Sequence, residues 1–192
     1  MKKFFAILLV ALFGAMPLFA DDVADVKEVI RKDYEMGMNF DLSGVLALRT
    51  PDYQGTLPDG TLINYEMAKL MCVALDGKHP EEFLLFTLMA QGVTPTEEMK
   101  AKIRENAKSP ELVKEYETMV IPMMRVLQKI GMGLVLKTMK FVSVDVNGDN
   151  ATVVYESLTI DKNADIRDAT GTTTLRRVNG AWLICRSVAA YK

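Results

Sequence analysis

Near Gly133 the spacing of apolar residues changes from steps of three and four to every second residue, and that change limits what the chain can fold into. Four segments rich in Val, Thr, Ile and Leu follow it: Met139 to Val146, Ala151 to Ile160, Thr170 to Val178, and Ala181 to Ala190. Asn147-Gly-Asp-Asn150 and Asn179-Gly180 suit tight turns, the second a two-residue type I′ turn, so these strands should form an antiparallel meander. Helices first and strands last predict an α+β class rather than alternating βαβ units.

The helical part is well punctuated. Val23, Val26, Ile30, Tyr34 and Met38 draw one stripe on a first helix from about Asp22 to Asn39, and Asp41 to Leu48 reads as a second, short helix. Tyr53 to Leu57 and Thr61 to Ile63 flank Pro58-Asp59-Gly60 and make a small hairpin. Asn64 caps a third helix, Tyr65 to Asp76, which Gly77 stops. Pro80 opens a helix to about Gln91, closed by Gly92. Thr94-Pro95-Thr96-Glu97 then has the layout of a cap, a first-turn proline and a third-position glutamate. Ser109-Pro110 opens the last helix, where Leu112, Tyr116, Met119, Met123, Leu127, Ile130 and Leu134 should hold one face, with a kink at Pro122, which lacks a backbone donor. Nine of the eleven methionines beyond residue 20 lie between Met67 and Met139. Flexible thioethers suit a helical core and, as the other reading, a face that binds varied ligands.

The first 20 residues stand apart. Lys2-Lys3, an apolar run from Phe4 to Phe13 and a small-residue tail ending at Ala20 have the three-part layout of a secretory signal peptide cut after Ala20. The expected location is therefore periplasmic or secreted. No later stretch reads as a membrane span. Loss of Lys2 and Lys3 takes the formal net charge from −2 to −4, and a mildly acidic chain without a basic run has no footprint for nucleic acid. Export leaves a disulfide between Cys72 and Cys185 open beside two free thiols. Residues 21–192 read as one domain.

Three stretches carry a family resemblance: Asn39 to Leu48 followed by Thr50-Pro-Asp-Tyr53; Pro58 to Tyr65; and Asn147 to Val153 with Val178 to Ile184. Together with the first helix they resemble the nuclear transport factor 2-like superfamily, which includes ketosteroid isomerases and SnoaL-type polyketide cyclases. The resemblance implies a curved antiparallel sheet wrapped around the long N-terminal helix, a cystatin-like cone with a pocket open at one end. It also makes the helices at about 79–136 an insertion before the four-strand meander.

Ketosteroid isomerases place a tyrosine on the first helix and a carboxylate base beside the first hairpin. Tyr34 stands near the matching helical position, but the stretch aligned with the base reads Gly55-Thr56-Leu57-Pro58, without a carboxylate. Asp52 and Asp59 are nearby and read first as turn residues. His79, the lone histidine, reads first as a solvent-facing or capping residue at a helix start. It lacks the i, i+4 partner of a metal pair, and no nucleophile elbow or glycine-rich phosphate loop is present, so neither metal nor cofactor is expected. Tyr34, Tyr53, Tyr155 and Trp182 are the aromatic residues expected around the cone, with Arg186 as a polar anchor, because strand alternation would put Trp182, Ile184 and Arg186 on one face.

The sequence thus predicts an exported, non-catalytic domain that binds a small apolar or amphipathic molecule, or a protein partner, through a conical pocket and the helical insert. One alternative is a lyase, isomerase or cyclase acting on a hydrophobic substrate, with Tyr34, Asp52 and His79 as acid or base. The other is a structural, self-associating envelope protein; a homodimer is a candidate assembly under any of these readings.

Overall fold

The computed structural model describes residues 22–75, 77–161 and 163–192. The signal peptide read at 1–20 lies outside them. Helix α1, residues 22–38, is followed by α2 (Leu42–Ala47), capped by the Asp41 carboxylate accepting from Gly44 N–H. Strand β1 (Arg49–Thr56) turns through the Pro58-Asp59-Gly60 hairpin into β2 (Leu62–Asn64). Asn64 then caps α3 (Tyr65–Ala74) by accepting from Met67 N–H at 2.9 Å. The helical segment continues through α4 (Pro80–Ala90), α5 (Glu97–Asn106) and α6 (Pro110–Glu115), then a π turn (Tyr116–Val120) and α7 (Ile121–Thr138). The chain closes with β3 (Lys140–Asn147), β4 (Asn150–Ile160), β5 (Ile166–Val178) and β6 (Ala181–Tyr191).

The strands form one curved, unclosed sheet in the order β2-β1-β6-β5-β4-β3. The meander is antiparallel as expected, and Asn179 (φ 51°) and Gly180 (φ 83°) have the left-handed backbone of a type I′ turn. The sheet is nevertheless mixed, because β1 runs parallel to β6. A parallel neighbour needs a long crossover, which helices α3 to α7 provide.

The main core lies between α1 and the sheet. Val26 and Ile30 pack against Val153, Leu175 and Ile184, all at 0–2% exposure, with Tyr53, Tyr155 and Trp182 around them. A smaller core joins α2, α3, the start of the π turn and the start of α7 through Leu42, Leu75, Tyr116 and Ile121. α5 and α6 bury no residue fully.

Four expectations are corrected. The α5 cap is Thr96, not Thr94: Thr96 has extended backbone and its hydroxyl accepts from Met99 N–H, while Pro95 is buried against the preceding helices. The alternation through β6 is broken, since Thr174 pairs with Arg186 while Leu175 pairs with Ile184, leaving Cys185 as an extra residue. Trp182 and Ile184 are therefore buried and Arg186 is exposed.

The third correction concerns the last helix. Pro122 cannot donate and would crowd the carbonyl four residues back, and the chain answers with the π turn, where Ile121 N–H reaches back five residues to Tyr116 O. One extra residue rotates everything beyond it by about 100°. Tyr116 is consequently buried, whereas Met119, Met123, Leu127 and Ile130, expected on the same face, are each more than half exposed. The inward face is instead Ile121, Met124, Gln128 and Val135.

The fourth follows from the third. Because the π turn carries the helix past Pro122, residues 110–138 form one continuous helix, long and apolar enough by length and composition to cross a membrane. It is held to the body from its inner side: Gln128 Nε2 donates to Gly37 O at 2.8 Å, and Thr138 Oγ1 accepts from Leu158 N–H at 2.9 Å. Met132 of α7 packs directly on α1 at Gly37.

Candidate functional site

Between α1, the concave face of the sheet and α7 lies a cavity of about 260 Å³. α1 contributes Tyr34, α7 contributes Gln128, Gly131, Met132 and Val135, and the opposite wall is Tyr155, Ala169 and Gly171 of β4 and β5. A further space of about 130 Å³ shares Tyr34, Met132 and Tyr155 with it and extends inward to Asp33, Arg49 and Tyr53. The insert therefore walls the cone: without α7 the cavity would be an open trough.

Two tyrosines stand where the spaces meet. Tyr34 and Tyr155 share a 2.9 Å hydrogen bond between their hydroxyls, and their rings meet edge to face, 6.2 Å between centroids. Gly171 makes room for this pair, because a Cβ on it would lie 2.2 Å from Tyr155 Cζ. Burial, reinforced by the neighbouring Tyr155 and Asp33, pushes the Tyr34 phenol well above the ordinary tyrosine range, and burial raises Tyr155 as well. Both are therefore neutral phenols at physiological pH. They can hydrogen-bond a guest but cannot take a proton from it as phenolates.

Asp33 and Arg49 form the charged element of the inner space. Arg49 grips the carboxylate with two nitrogens, at 2.8 and 3.3 Å, also donates to Val45 O, and lies 4.9 Å above the Tyr53 ring. Burial pushes Asp33 above the usual carboxylate range although Arg49 pulls it down. Burial lowers Arg49, but Asp33 and Tyr53 together more than offset this and the guanidinium is raised overall. Asp33 is thus occupied by its partner rather than aimed at the cavity.

The structure brings Tyr34, Tyr53 and Tyr155 to these two spaces. Trp182 lies in the main core instead, with the Arg177 guanidinium 4.5 Å above its ring. Arg186 lines a separate hollow with Gln54 and Met67. Asp52 lies outside both spaces, ion-paired to Arg176 at 2.8 Å and exposed, because it alternates with inward Tyr53; the neighbouring Thr50 hydroxyl and the hydrogen bond from Arg176 hold its carboxyl below the usual range. His79 stands at the start of α4 beside Glu81, 3.1 Å away, and lines neither space. Asp59 caps its own turn by accepting from Thr61 N–H. The disulfide left open is not formed: Cys72 donates to Leu42 O and Cys185 to Thr174 O, and burial raises both thiols. Among the described residues no three His, Cys, Asp or Glu side chains gather where they could hold a metal ion.

Asp33, Arg49, Gly131 and Met132 were not singled out from sequence. One signal for Asp33 was present: it shares the α1 stripe with Val26 and Ile30 at helical spacing, and an acid on a buried stripe needs a buried partner.

A larger groove of about 360 Å³ runs between α3, α4 and α5, with Leu70, Leu85 and Met89 as floor. Charged side chains rim it, among them Glu82 and Arg104 paired at 3.8 Å. It is a seam between helices of the outer layer, away from the sheet and α1.

No protein-family model matches the sequence and no curated protein matches it. Among solved structures, the chain is similar to a nuclear transport factor 2-like protein with a cystatin-like fold from Novosphingobium aromaticivorans: 14% identity, 95% of this chain and 89% of that one covered, TM-score 0.54. Looser likenesses include a protein of unknown function from Mycobacterium tuberculosis (11% identity, 93% and 76% covered, TM-score 0.48) and a nuclear transport factor 2-like protein of unknown function from Silicibacter pomeroyi (12% identity, 91% and 98% covered, TM-score 0.45). The first likeness establishes a nuclear transport factor 2-like, cystatin-like fold.

Proposed function

We propose that this chain is an exported binding domain for a small apolar molecule carrying one polar group. Met132, Val135 and Ala169 would hold the apolar body, and the Tyr34–Tyr155 hydroxyl pair would receive the polar end. The observation that carries this reading is a mostly apolar cavity whose central polar groups are neutral donors and acceptors, while the carboxylate–guanidinium pair of the adjoining inner space is closed on itself. A volume near 260 Å³ lies just under the roughly 300–1,000 Å³ of drug-sized pockets, which favours a single short chain or small ring system. The layout of residues 1–20 supports export.

The enzymatic alternative finds less support, since a base would have to come from Asp33 after release from Arg49, while Asp52 and His79 lie elsewhere. Gly131 offers a clean test, because a Cβ there meets nothing within 4 Å although the residue lines the cavity. Decanol should raise the melting temperature and appear as a one-to-one adduct in native mass spectrometry. Gly131→Leu should remove both effects while keeping the fold. Decanol binding that is indifferent to Gly131→Leu would place the ligand elsewhere.

A further inference from the structure

The outward face of α7 has no function in the fold. At about 100° per residue, Met123, Val126, Leu127 and Ile130 fall on one side, opposite the Ile121, Gln128 and Val135 side that holds the body. Each of the four, with Met119 in the π turn, is 51–57% exposed, and only 11% of the most apolar 18-residue window of the helix is buried. Charge on this segment has one sign: residues 118–144 contain Arg125, Lys129, Lys137 and Lys140 and no Asp or Glu, in a chain whose acids outnumber its bases. Among the described residues none of these four cations is in an ion pair; Arg125 is braced over the Phe40 ring at 5.0 Å.

We propose that this face docks the protein on an anionic lipid membrane surface, with Met119, Met123, Val126, Leu127 and Ile130 entering the headgroup boundary and the lysines answering lipid phosphates. An interfacial helix needs an apolar stripe that reaches roughly 5–10 Å into the boundary and cations at its edge, which this helix has. The attachment is parallel to the surface and does not span it, because the inner face stays bound to Gly37 and Leu158 of the body. A second copy fits less well: five half-exposed side chains offer roughly 500 Å², short of the roughly 800 Å² per partner of a stable dimer. The same helix walls the cavity from its other side, so docking would set the candidate binding site against the lipid surface; the docking itself does not depend on what the cavity holds.

The test uses the full chain with Ile130→Trp as a local reporter, so that any attachment through residues 4–13 is read separately. Leu127→Trp serves as a second reporter, and Leu62→Trp on β2, 69% exposed, as a control. On vesicles of phosphatidylglycerol and phosphatidylcholine, emission at positions 127 and 130 should shift to the blue and at 62 should not. The shift should weaken with salt, be absent on pure phosphatidylcholine, and require about tenfold more lipid once Lys129→Glu and Lys137→Glu are added. An unshifted reporter on anionic vesicles overturns the proposal. Equal shifts on neutral lipid overturn its electrostatic basis, and self-association in sedimentation equilibrium that Met123→Glu abolishes assigns the face to a second copy instead.

Discussion

The cone and the helical insert are built from similar proportions of apolar residues but use them differently. In the cone the stripe of α1 that faces the sheet is fully partnered: Val26 and Ile30 meet Val153, Leu175 and Ile184, and even the charged Asp33 on that stripe is answered by Arg49. In the insert Tyr116 and Ile121 pack on one side with Leu42 and Leu75 of α2 and α3, while the stripe from Met119 to Ile130 is more than half exposed. The contrast teaches that apolar periodicity specifies a face but not its partner. In α7 the same helix supplies a cavity wall on one side and an unpartnered surface on the other.

The largest expected break in this comparison comes from charge. Asp33→Ala leaves Arg49 buried without its carboxylate and should cost about 3–5 kcal/mol, read as a drop in the urea midpoint. Removing Glu98, exposed beside Lys102 in α5, should leave that midpoint nearly unchanged. If the two variants behave alike, the cone does not depend on its buried pair.

Truncating apolar side chains sharpens the same contrast. Leu175→Ala, at 0% exposure, should cost about 2–5 kcal/mol, whereas Ile130→Ala, at 53%, should stay within about 0.5 kcal/mol. A large loss at Ile130 would mean that its face is packed in solution.

A smaller effect is expected at the tyrosine pair. Tyr34 and Tyr155 are raised above 10.0 in the folded chain, so the stability they contribute is fully present below pH 10 and is lost as pH rises toward their folded values. Tyr34→Phe should cost about 1 kcal/mol at pH 7 and reduce the steepness with which the urea midpoint falls above pH 10. An unchanged alkaline slope would contradict a buried, neutral Tyr34.

Much of the architecture was legible. Asp41, Asn64 and Ser109 mark helix starts through local cap bonds, Pro80 through its fixed φ at the first turn, and Asn179-Gly180 marks its hairpin through a left-handed backbone those residues tolerate. What escaped depends on a single inserted residue. The π turn before Pro122 rotated the Met119–Ile130 face out of the core, and the bulge at Cys185 sent Arg186 away from Trp182 and Ile184. Such insertions are decided by packing on both sides of the element, so periodicity alone overruns them. The candidate site was legible by half: Tyr34, Tyr53 and Tyr155 surround it, while its outer wall comes from Gly131 and Met132, where a glycine gave no side chain to notice and a methionine was one among many.

Methionine methyl NMR tests the cavity behind α7 directly, because Met132 lines it while Met119 and Met123 face out from the same helix. Titration with decanol should shift the Met132 ε-methyl resonance to saturation and leave Met119 and Met123 in place. Saturable shifts at Met119 and Met123 with Met132 unmoved would show that the apolar molecule is held on the outer face, and would contradict a binding site inside the cone.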